Sequence, residues 1–537
     1  MNKLKTQKTA FERFSEILLI ILTAAFLGAV VYMNFHVTPC FEDGDTYTDI
    51  SFAVRAWREK TLFPDGWIFG NQYYILATPV FAALFYGIIK NALLAMAAAS
   101  TLMTVLILAA YNYMLKPFAS LSARLGGFLT FASFSALLGH LTGGSTGWQL
   151  FFTMDSYYAC YFIVAMICFG CYARTRTNIK GASVWIMIAV SCLTSFAMGM
   201  QSLRQTEIMV LPLIITEALL IVYSKIRKEK FNSASLISAA AISVSNIAGH
   251  FFVRLLNIPH NEIFGTQKKP AEAGIKGFID KTLDIIKLSI NIKTYKPLVY
   301  LTYFTVIAIT VIALFLMFCR FIKKKKLGAI AVISFTAFVG VGGIAFLYVF
   351  SSMEIRGIYF FMTHLLVALS ATYLLSSKSK FTKPVLLAAV LFLFAATAIV
   401  RFIPDSRTVT DKKAAAVYNE AAEYAVENDY SVVYANWLLI GRIATAADGQ
   451  LDIGMWDEDT EELMFIPVDY LGDPRVFDRN DEAIYVVYGS EYGTALKKAA
   501  EKGIEITEVF RTESTVAYRG EMVPLVCFKS AEQLCTK

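Results

Sequence analysis

The stretch ILLIILTAAFLGAVVYMNFHVTPCFEDGDTYTD, residues 17–49, joins a strongly apolar run to a short acidic segment. The apolar run, over about 16–35, has the length of ~20 residues that an α-helix needs to cross ~30 Å of hydrocarbon. Four basic residues precede this run, namely Lys3, Lys5, Lys8 and Arg13. Because such residues stay on the cytoplasmic side of a membrane, we expect a retained first helix with a cytoplasmic N-terminus. The acidic segment then lies outside.

The whole chain has the composition of a membrane protein. Of its 537 residues, 56% are hydrophobic and only 17% are charged, and the mean hydropathy is positive. Eleven further apolar runs lie near 73–89, 92–113, 124–142, 157–172, 182–199, 207–224, 234–252, 299–319, 328–350, 357–375 and 384–402. A soluble chain of this length would instead divide into several domains with polar surfaces. We therefore predict a polytopic α-helical protein of the cell membrane, with about 11–13 spans.

Basic connectors set the predicted topology. They lie at 173–180, 225–230, 320–326 and 378–383, and placing them in the cytoplasm makes every span from residue 157 onward alternate correctly. The outer segments are then 36–72, 143–156, 200–206, 253–298 and 351–356, followed by the tail from residue 403. Because the two termini lie on opposite sides, the number of spans must be odd. Between residues 73 and 156 we expect an additional short span, giving thirteen; the alternative is one re-entrant or interfacial stretch, giving eleven.

The tail has a different character from the rest of the chain. From residue 403 onward it holds 25 acidic and 13 basic residues, whereas the preceding part holds 17 and 36. Helical spacing over 411–428 and 490–503, and β-branched or aromatic runs at 430–435, 482–489, 506–512, 515–520 and 523–529, predict one compact α/β domain. We expect residues 1–402 to form a transmembrane domain with outer loops 36–72 and 253–298, and residues 403–537 to form a soluble extracytoplasmic domain.

Ionisable residues collect on the predicted outer face, at the ends of spans and in the outer loops. They are Asp43, Asp45, Asp155, Arg204, His260, Lys268, Lys269, Glu354 and Arg356. Charged groups that face one compartment from the ends of spans indicate a site at the boundary between membrane and water. An Asp-Gly-Asp sequence is also ordinary turn chemistry, so a solvated loop at residues 43–45 is the alternative.

This set of residues suits the transfer of a sugar from a lipid phosphate. A phosphate is already a good leaving group and needs no strong acid, while arginine neutralises its charge with matching geometry. The acceptor hydroxyl needs one base, which an aspartate supplies. Attack opposite the leaving phosphate inverts the anomeric carbon. A hydrolase of ordinary glycosidic bonds would instead need two carboxylates that flank the bond.

The layout and three short motifs resemble the GT-C superfamily of glycosyltransferases, in particular the protein O-mannosyltransferases and the aminoarabinose transferases of lipid A. Their first-loop motif is Asp-Glu-x-x-aromatic, and DGDTY (43–47) matches it at Asp43 and Tyr47, with Gly44 in place of the glutamate. TMDSYYACYFIVA (153–165) is similar to a second acidic motif, with Met154 inserted. EIRGIYFFMTHLLVAL (354–369) is similar to a late Arg-x-x-aromatic span without its usual proline.

The resemblance implies a role for each candidate. Either Asp43 or Asp45 is the general base, Asp155 is a second acidic group, and Tyr47 and Glu354 position the substrate. The donor phosphate is expected to contact Arg356, Arg204, His260, Lys268 and Lys269. Alternatively, Asp43 and Asp45 hold Mg²⁺ or Mn²⁺, since two such carboxylates offer oxygen ligands to a divalent cation.

The expected partners are a polyprenyl-phosphate-linked sugar, membrane lipid and an acceptor hydroxyl on a cell-envelope glycan, lipid or protein. No nucleic-acid partner is expected. Two alternatives remain open, namely a glycan polymerase or ligase that takes lipid-linked donors, and a transporter or flippase for lipids or polysaccharides. A transporter predicts charged residues near the middle of the membrane and two halves of similar pattern.

Overall fold

The computed structural model describes most of the chain. The described residues are 9–37, 44–142, 151–153, 156–177, 182–261, 276–277, 279–284, 296–324, 327–350, 357–360, 362–377, 382–404, 412–457, 466–467 and 472–535. Within these ranges the predicted sequence of apolar helices followed by an α/β region is observed. Each of the twelve predicted apolar runs is helical over most of its length.

In the described part of the chain before the tail, thirteen α-helices are labelled. They are α1 (Ala10–Tyr32), α2 (Gly44–Glu59), α3 (Thr78–Ile89), α4 (Ala92–Leu115), α5 (Leu121–Thr142), α6 (Ala159–Arg176), α7 (Ala182–Gln201), α8 (Leu211–Ile226), α9 (Ser233–Leu255), α10 (Lys296–Lys324), α11 (Ala329–Phe350), α12 (Met362–Leu375) and α13 (Thr382–Thr397). Short π-helical segments extend α1, α8 and α13, at Met33–Val37, Thr206–Val210 and Ala398–Phe402. Among the described residues, eight helices are long and apolar enough to cross a membrane, namely α1, α4, α7, α8, α9, α10, α11 and α13.

The exposed faces of these helices are apolar, as lipid contact requires. On α10, Phe304, Ile307, Val311, Phe315 and Phe318 are each more than half exposed. Their spacing of three and four residues places them along one stripe of the helix. A stripe of this kind is unfavourable in water but suits hydrocarbon, where the backbone bonds are satisfied within the helix. The chain is a multi-pass membrane protein.

Helix α3 is too short to cross the membrane, and both of its ends lie on one face. Its twelve residues span ~18 Å. At its start, Thr78 Oγ1 donates to the carbonyl of Ser156 at 3.4 Å. After its end, Ala92 N donates at 2.6 Å to Asp448 Oδ1 of the C-terminal region. Upstream of α3, Ile68 N donates to the carbonyl of Gly472, also in the C-terminal region, at 2.8 Å.

The position of α3 favours the prediction of eleven spans. The described residues between 73 and 142 contain only α3, α4 and α5, and α3 does not cross. The helices that remain are the eight long ones together with α5, α6 and α12. Among the described helices the number of spans is then eleven, an odd number that agrees with the predicted placement of the termini on opposite faces, and this placement stays a prediction. We call the face that carries the C-terminal region the sheet-domain face.

Ion pairs and hydrogen bonds connect helix ends on the opposite face. Lys383 Nζ at the start of α13 pairs with Glu12 Oε1 in the first turn of α1 at 2.7 Å. Arg174 near the end of α6 donates to the carbonyl of Tyr113 near the end of α4. The N-terminal end of α1 therefore shares a face with two of the regions that carry basic connectors, as the predicted topology requires. The assignment of that face to the cytoplasm stays a prediction.

Glu217 is a buried carboxylate in α8 near this opposite face. It accepts hydrogen bonds from Arg176 Nη1 at 3.0 Å, from Ser235 Oγ at 2.8 Å and from the hydroxyl of Tyr172. A charge inside a membrane is costly unless it is paired in this way. The network joins α6, α8 and α9, which gives Glu217 a structural role.

The C-terminal region folds into a small sheet domain. Its helices are α14 (Lys412–Glu427), α15 (Trp437–Ala446) and α16 (Gly489–Glu501), and its strands are β1 (Val432–Asn436), β2 (Asp452–Asp457), β3 (Ile466–Pro467), β4 (Ala483–Tyr488), β5 (Ile506–Arg511), β6 (Val516–Tyr518), β7 (Glu521–Val523) and β8 (Leu525–Ser530). The main sheet has the order β3-β2-β1-β4-β8-β5, with β2, β1 and β4 parallel and the other pairings antiparallel. Strands β1 and β4 are fully buried, as their apolar sequences predict. Strands β6 and β7 form a separate two-stranded ribbon.

Candidate functional site

Helix α2 forms the centre of the candidate site, between the membrane helices and the sheet domain. On one side Phe52 packs edge-to-face on Tyr74, with ring centroids 4.6 Å apart. On the other side Tyr47 packs against Gly441 of α15, and Val54 packs against Gly449. Both sides of α2 are therefore buried, although its sequence lies in a predicted outer loop. The alternative of a solvated turn at residues 43–45 does not hold from Gly44 onward, because the helix begins there.

The acidic segment leads directly into this helix. Asp45 is in its first turn, where the partial positive charge of the helix N-terminus stabilises a carboxylate. Asp43 and the side chain of Asp45 lie outside the described residues, and so do Asp155, Glu354, Arg356, Lys268 and Lys269. The roles predicted for them stay predictions.

Asp49 is a buried carboxylate one helical turn after Asp45. It is 3% exposed, and its Oδ1 accepts a hydrogen bond of 2.5 Å from the hydroxyl of Tyr74. No role was predicted for Asp49 from the sequence. The spacing of four residues from Asp45 was the available signal, since it puts both carboxylates on one face of a helix.

Arg204 lies in the connector between α7 and the π-helical segment before α8. Its guanidinium carbon is 4.8 Å from the ring centroid of Tyr158 and 5.6 Å from that of Tyr161. Its Nη1 is buried and has no hydrogen-bond partner in the described part of the chain. A buried N–H group without an acceptor costs ~1–3 kcal/mol or more when it is charged, so an acceptor beyond the described residues, or an anionic ligand, would stabilise this nitrogen.

A short segment, 72–76, connects Arg204 with α2. At one end, the hydroxyl of Tyr161 donates to Gln72 Oε1 at 2.6 Å. In the middle, Leu76 N donates to Gln201 Oε1 at 2.9 Å, which attaches the segment to the end of α7. Tyr74, within the same segment, donates to Asp49. The carboxylate of Asp49 and the guanidinium of Arg204, which contacts the Tyr161 ring, thus belong to one contiguous cluster.

Two further tyrosines bring the predicted motifs to this cluster. Tyr157 lies within electrostatic range of both Asp49 and Arg204. Tyr359 lies within electrostatic range of Arg204. These tyrosines are two residues after Asp155 and three after Arg356, so the second and third motif segments approach the same guanidinium.

The remaining candidates lie at the edge of this cluster. His260 is exposed, and its Nδ1 is 3.0 Å from the hydroxyl of Tyr73. Tyr47 is 8% exposed and faces the sheet domain, where the guanidinium of Arg442 lies 5.7 Å from its ring centroid. No cluster of three His, Cys, Asp or Glu side chains suited to a metal occurs in the described part, which does not include Asp43. Binding of Mg²⁺ or Mn²⁺ by Asp43 and Asp45 stays a prediction.

Comparisons with known proteins find structural relatives only. No model of a protein family and no curated protein matches the chain. ArnT from Cupriavidus metallidurans bound to undecaprenyl phosphate matches with a TM-score of 0.53 at 9% identity, over 96% of this chain and 99% of that chain. ArnT in the apo state matches with a TM-score of 0.51 at 11% identity, over 95% and 97%. An oligosaccharyltransferase of Archaeoglobus fulgidus matches with a TM-score of 0.38 at 10% identity, over 82% and 65%.

ArnT is an aminoarabinose transferase and has a GT-C fold. The likeness extends over almost the full length of both chains, so it includes the membrane helices and the sheet domain. The chain therefore has the fold of the GT-C membrane glycosyltransferases, and the predicted resemblance is confirmed at the level of the fold.

Proposed function

We propose that this protein is an integral-membrane glycosyltransferase that moves a sugar from a polyprenyl-phosphate donor to a hydroxyl of a cell-envelope glycan, lipid or protein. The observation that carries the proposal is Arg204, whose buried Nη1 has no hydrogen-bond partner among the described residues and whose guanidinium lies in one cluster with the acidic helix α2. The fold supports it, because ArnT, which shares this fold, is known bound to undecaprenyl phosphate.

The phosphate of the donor is the ligand that suits Arg204. Guanidinium and phosphate form charge-assisted, often bidentate hydrogen bonds. In the described part of the chain, this side chain lies over two phenol rings, which attract a cation with their faces and leave its N–H groups able to donate to a ligand. Arg356, His260, Lys268 and Lys269 would add positive charge around the same phosphate.

In the proposed reaction the acceptor hydroxyl loses its proton to Asp43 or Asp45 as it attacks the anomeric carbon. The bond from that carbon to the phosphate oxygen breaks on the opposite side, so the configuration inverts. The leaving phosphate needs no proton, because the cations around it stabilise its charge. Tyr47 and Glu354 would position the substrates, and Asp155 would be a second acidic group near the reacting atoms.

The proposed site faces the extracytoplasmic side. The cluster lies on the sheet-domain face, whereas the start of α1 and the regions with the basic connectors at 173–180 and 378–383 lie on the opposite face. Excess lysine and arginine mark the cytoplasmic side of short connectors. The donor lipid would then enter from the outer leaflet.

The proposal is tested with purified protein in nanodiscs. Radiolabelled polyprenyl-phosphate sugar and polyprenyl-pyrophosphate sugar are supplied in separate reactions with a cell-envelope extract, and transfer of label from lipid to acceptor is measured. We expect transfer from the monophosphate donor. Transfer from the pyrophosphate donor alone would indicate a polymerase or ligase, and movement of intact donor across the bilayer without transfer would indicate a flippase.

Variants at Arg204 test the phosphate contact. Loss of a buried charged hydrogen bond costs ~2–4 kcal/mol, so Arg204→Ala should lower kcat/KM by roughly 30- to 1,000-fold. Arg204→Lys, which keeps the charge without the planar donor geometry, should give an intermediate value. The matched control is Arg254→Ala, at an exposed arginine in the last turn of α9. Equal rates for Arg204→Ala and Arg254→Ala would contradict the assignment.

A further inference from the structure

We infer that helix α15 of the sheet domain positions the acidic helix α2, and that Gly441 is the positioning residue in this contact. The inference rests on the proposed function, in which α2 carries a predicted base in its first turn. In this inference the sheet domain contributes to catalysis by holding α2 in place. This role is different from covering the site or selecting the acceptor.

The contact between α15 and α2 is closer than a side chain would permit. A Cβ atom at Gly441 would overlap Cβ of Tyr47 and would lie 3.2 Å from its Cα, which belongs to the backbone of α2. About two and three turns further along α2, a second approach repeats this pattern. A Cβ atom at Gly449 would overlap the side chain of Val54, and Arg58 donates to the carbonyl of Gly449.

Glycine at position 441 is unfavourable for the helix that contains it. It lies in the interior of α15, where alanine is the better helix former. Gly449 is in a left-handed conformation with φ of +74°, and this backbone conformation explains why a glycine occupies position 449. Gly441 is not in a left-handed conformation. The close approach of α2 explains why a glycine occupies position 441.

Helix α2 cannot easily move away from α15, because the opposite side of α2 is also packed. There Asp49 accepts the hydrogen bond from Tyr74, and Phe52 lies against the rings of Tyr74 and Trp67. In a closely packed interior, a displacement of one element also displaces the elements packed against it. A shift of α15 at Tyr47 therefore moves the first turn of α2, where Asp45 is only two residues away.

Arg442, the next residue of α15, strengthens the same contact. It is 8% exposed, and its Nη1 donates to the hydroxyl of Tyr418 in α14 at 2.7 Å. Its guanidinium also lies over the rings of Tyr418 and Tyr47, with distances of 4.7 and 5.7 Å to their centroids. Two helices of the sheet domain are thereby linked to the N-terminal half of α2.

The test compares Gly441→Ala with Gly493→Ala in the full-length protein in nanodiscs. Gly493 lies in α16 of the same domain, and a Cβ atom there would meet no other atom within 4 Å. Since a misplacement of ~1 Å can cost ~100-fold in rate, we expect Gly441→Ala to lower kcat by about 10- to 100-fold. Its KM for the lipid donor should stay within about twofold, because Arg204 is outside this contact. Gly493→Ala should equal the wild type.

Hydrogen exchange provides a readout that does not depend on catalysis. In Gly441→Ala the amides of 44–59 should exchange at least tenfold faster, while those of β1 and β4 keep wild-type protection because the sheet itself is intact. Wild-type exchange in 44–59 together with wild-type kcat would overturn the inference, and so would equal effects in Gly493→Ala. If the wild-type protein transfers no sugar, the proposed function fails, but the exchange result still decides whether α15 positions α2.

Discussion

The ion cluster between α2 and the sheet domain yields a prediction whose size follows from the structure. Asp473, 5% exposed, accepts from Arg55 Nη2 at 2.6 Å and from Arg475 Nη2 at 2.8 Å. Arg475 also pairs with Asp65 at 2.7 Å. The substitution Asp473→Asn keeps the shape of the side chain but removes the charge that both arginines share.

The expected cost lies between that of a buried and that of an exposed ion pair. Breaking a buried pair by removing one partner costs ~3–5 kcal/mol, whereas an exposed pair contributes ~0–1 kcal/mol. Arg55 keeps its 2.7 Å pair with Glu59, and the side chain of Arg475 is 53% exposed. We therefore expect Asp473→Asn to weaken the docking of α2 on the sheet domain by about 1–2 kcal/mol. This free energy is smaller than that of a fully buried ion pair, because the arginine partners are partly exposed to solvent.

The same carboxylate predicts a dependence on pH. Burial acts to raise the pKa of Asp473, but hydrogen bonds from Arg475 and Arg55 outweigh it and hold the pKa below its usual value. A carboxylate whose pKa is lowered in the folded state stabilises that state above its unfolded pKa of ~3.9, and this contribution is lost as the pH falls through the folded pKa. Docking in the wild type should weaken below about pH 4, and Asp473→Asn should lack this part of the pH dependence.

Hydrogen exchange and thermal unfolding measure both effects. At pH 7 the amides of 44–59 should exchange about 5- to 30-fold faster in Asp473→Asn, which corresponds to ~1–2 kcal/mol of local opening. The control is Asp478→Asn, at an exposed aspartate in the same 3₁₀ turn. The reasoning would be refuted if the two variants exchanged alike, or if melting curves from pH 7 to 3 had the same shape in Asp473→Asn and the wild type.

Three further tests, one of them with a control variant, concern other parts of the structure. Glu217→Ala removes the acceptor of three hydrogen bonds, leaves a partly buried arginine unpaired and should lower stability by about 2–4 kcal/mol, seen as a lower Tm in detergent. Gly199→Ala should cost about 1–3 kcal/mol, because its Cβ atom would overlap the backbone of α9, whereas Gly343→Ala meets nothing within 4 Å and should leave Tm unchanged. Tyr74→Phe deletes the hydrogen bond to Asp49 and should lower kcat about tenfold with little change in donor KM, and an unaltered kcat would show that this bond does not hold α2 in place.

The fold was predictable where hydropathy and length decide it, and less so where distant hydrogen bonds do. All twelve apolar runs are helical, because lipid contact requires apolar side chains over the full length of a span. The run 73–89 shows where this signal ends. Its first five residues are not in a helix, since Tyr73 N and Leu76 N donate to Gln201 on α7. The sequence does indicate where α3 begins, because proline is common in the first turn of a helix and Pro79 lies in the first turn of α3.

The candidate site was only partly predictable in its residues. Arg204 was a candidate because ionisable residues that face one compartment from the ends of spans indicate a site at the boundary between membrane and water, and its role as a phosphate ligand stays a prediction. Asp49 and α2 were missed because Asp-Gly-Asp is typical of a turn. Contacts such as Tyr47 with Gly441 join residues almost four hundred positions apart. Periodicity along the chain contains no information about such pairs.

The length of α3 links the topology to the proposed mechanism. If α3 crossed the membrane, the beginning of α4 and the acidic helix α2 would lie on opposite faces. Instead, Ala92 N at the beginning of α4 donates to Asp448, while α2 packs on Gly441 and Gly449 of the same domain. Because α3 returns to the face it left, α2 and its acidic segment, the end of α7 with Arg204, and the sheet domain all share one face. A lipid-borne phosphate and a water-borne hydroxyl can meet only where a cation and a base are presented on the same side of the bilayer. The return of α3 is therefore a structural requirement of the proposed reaction.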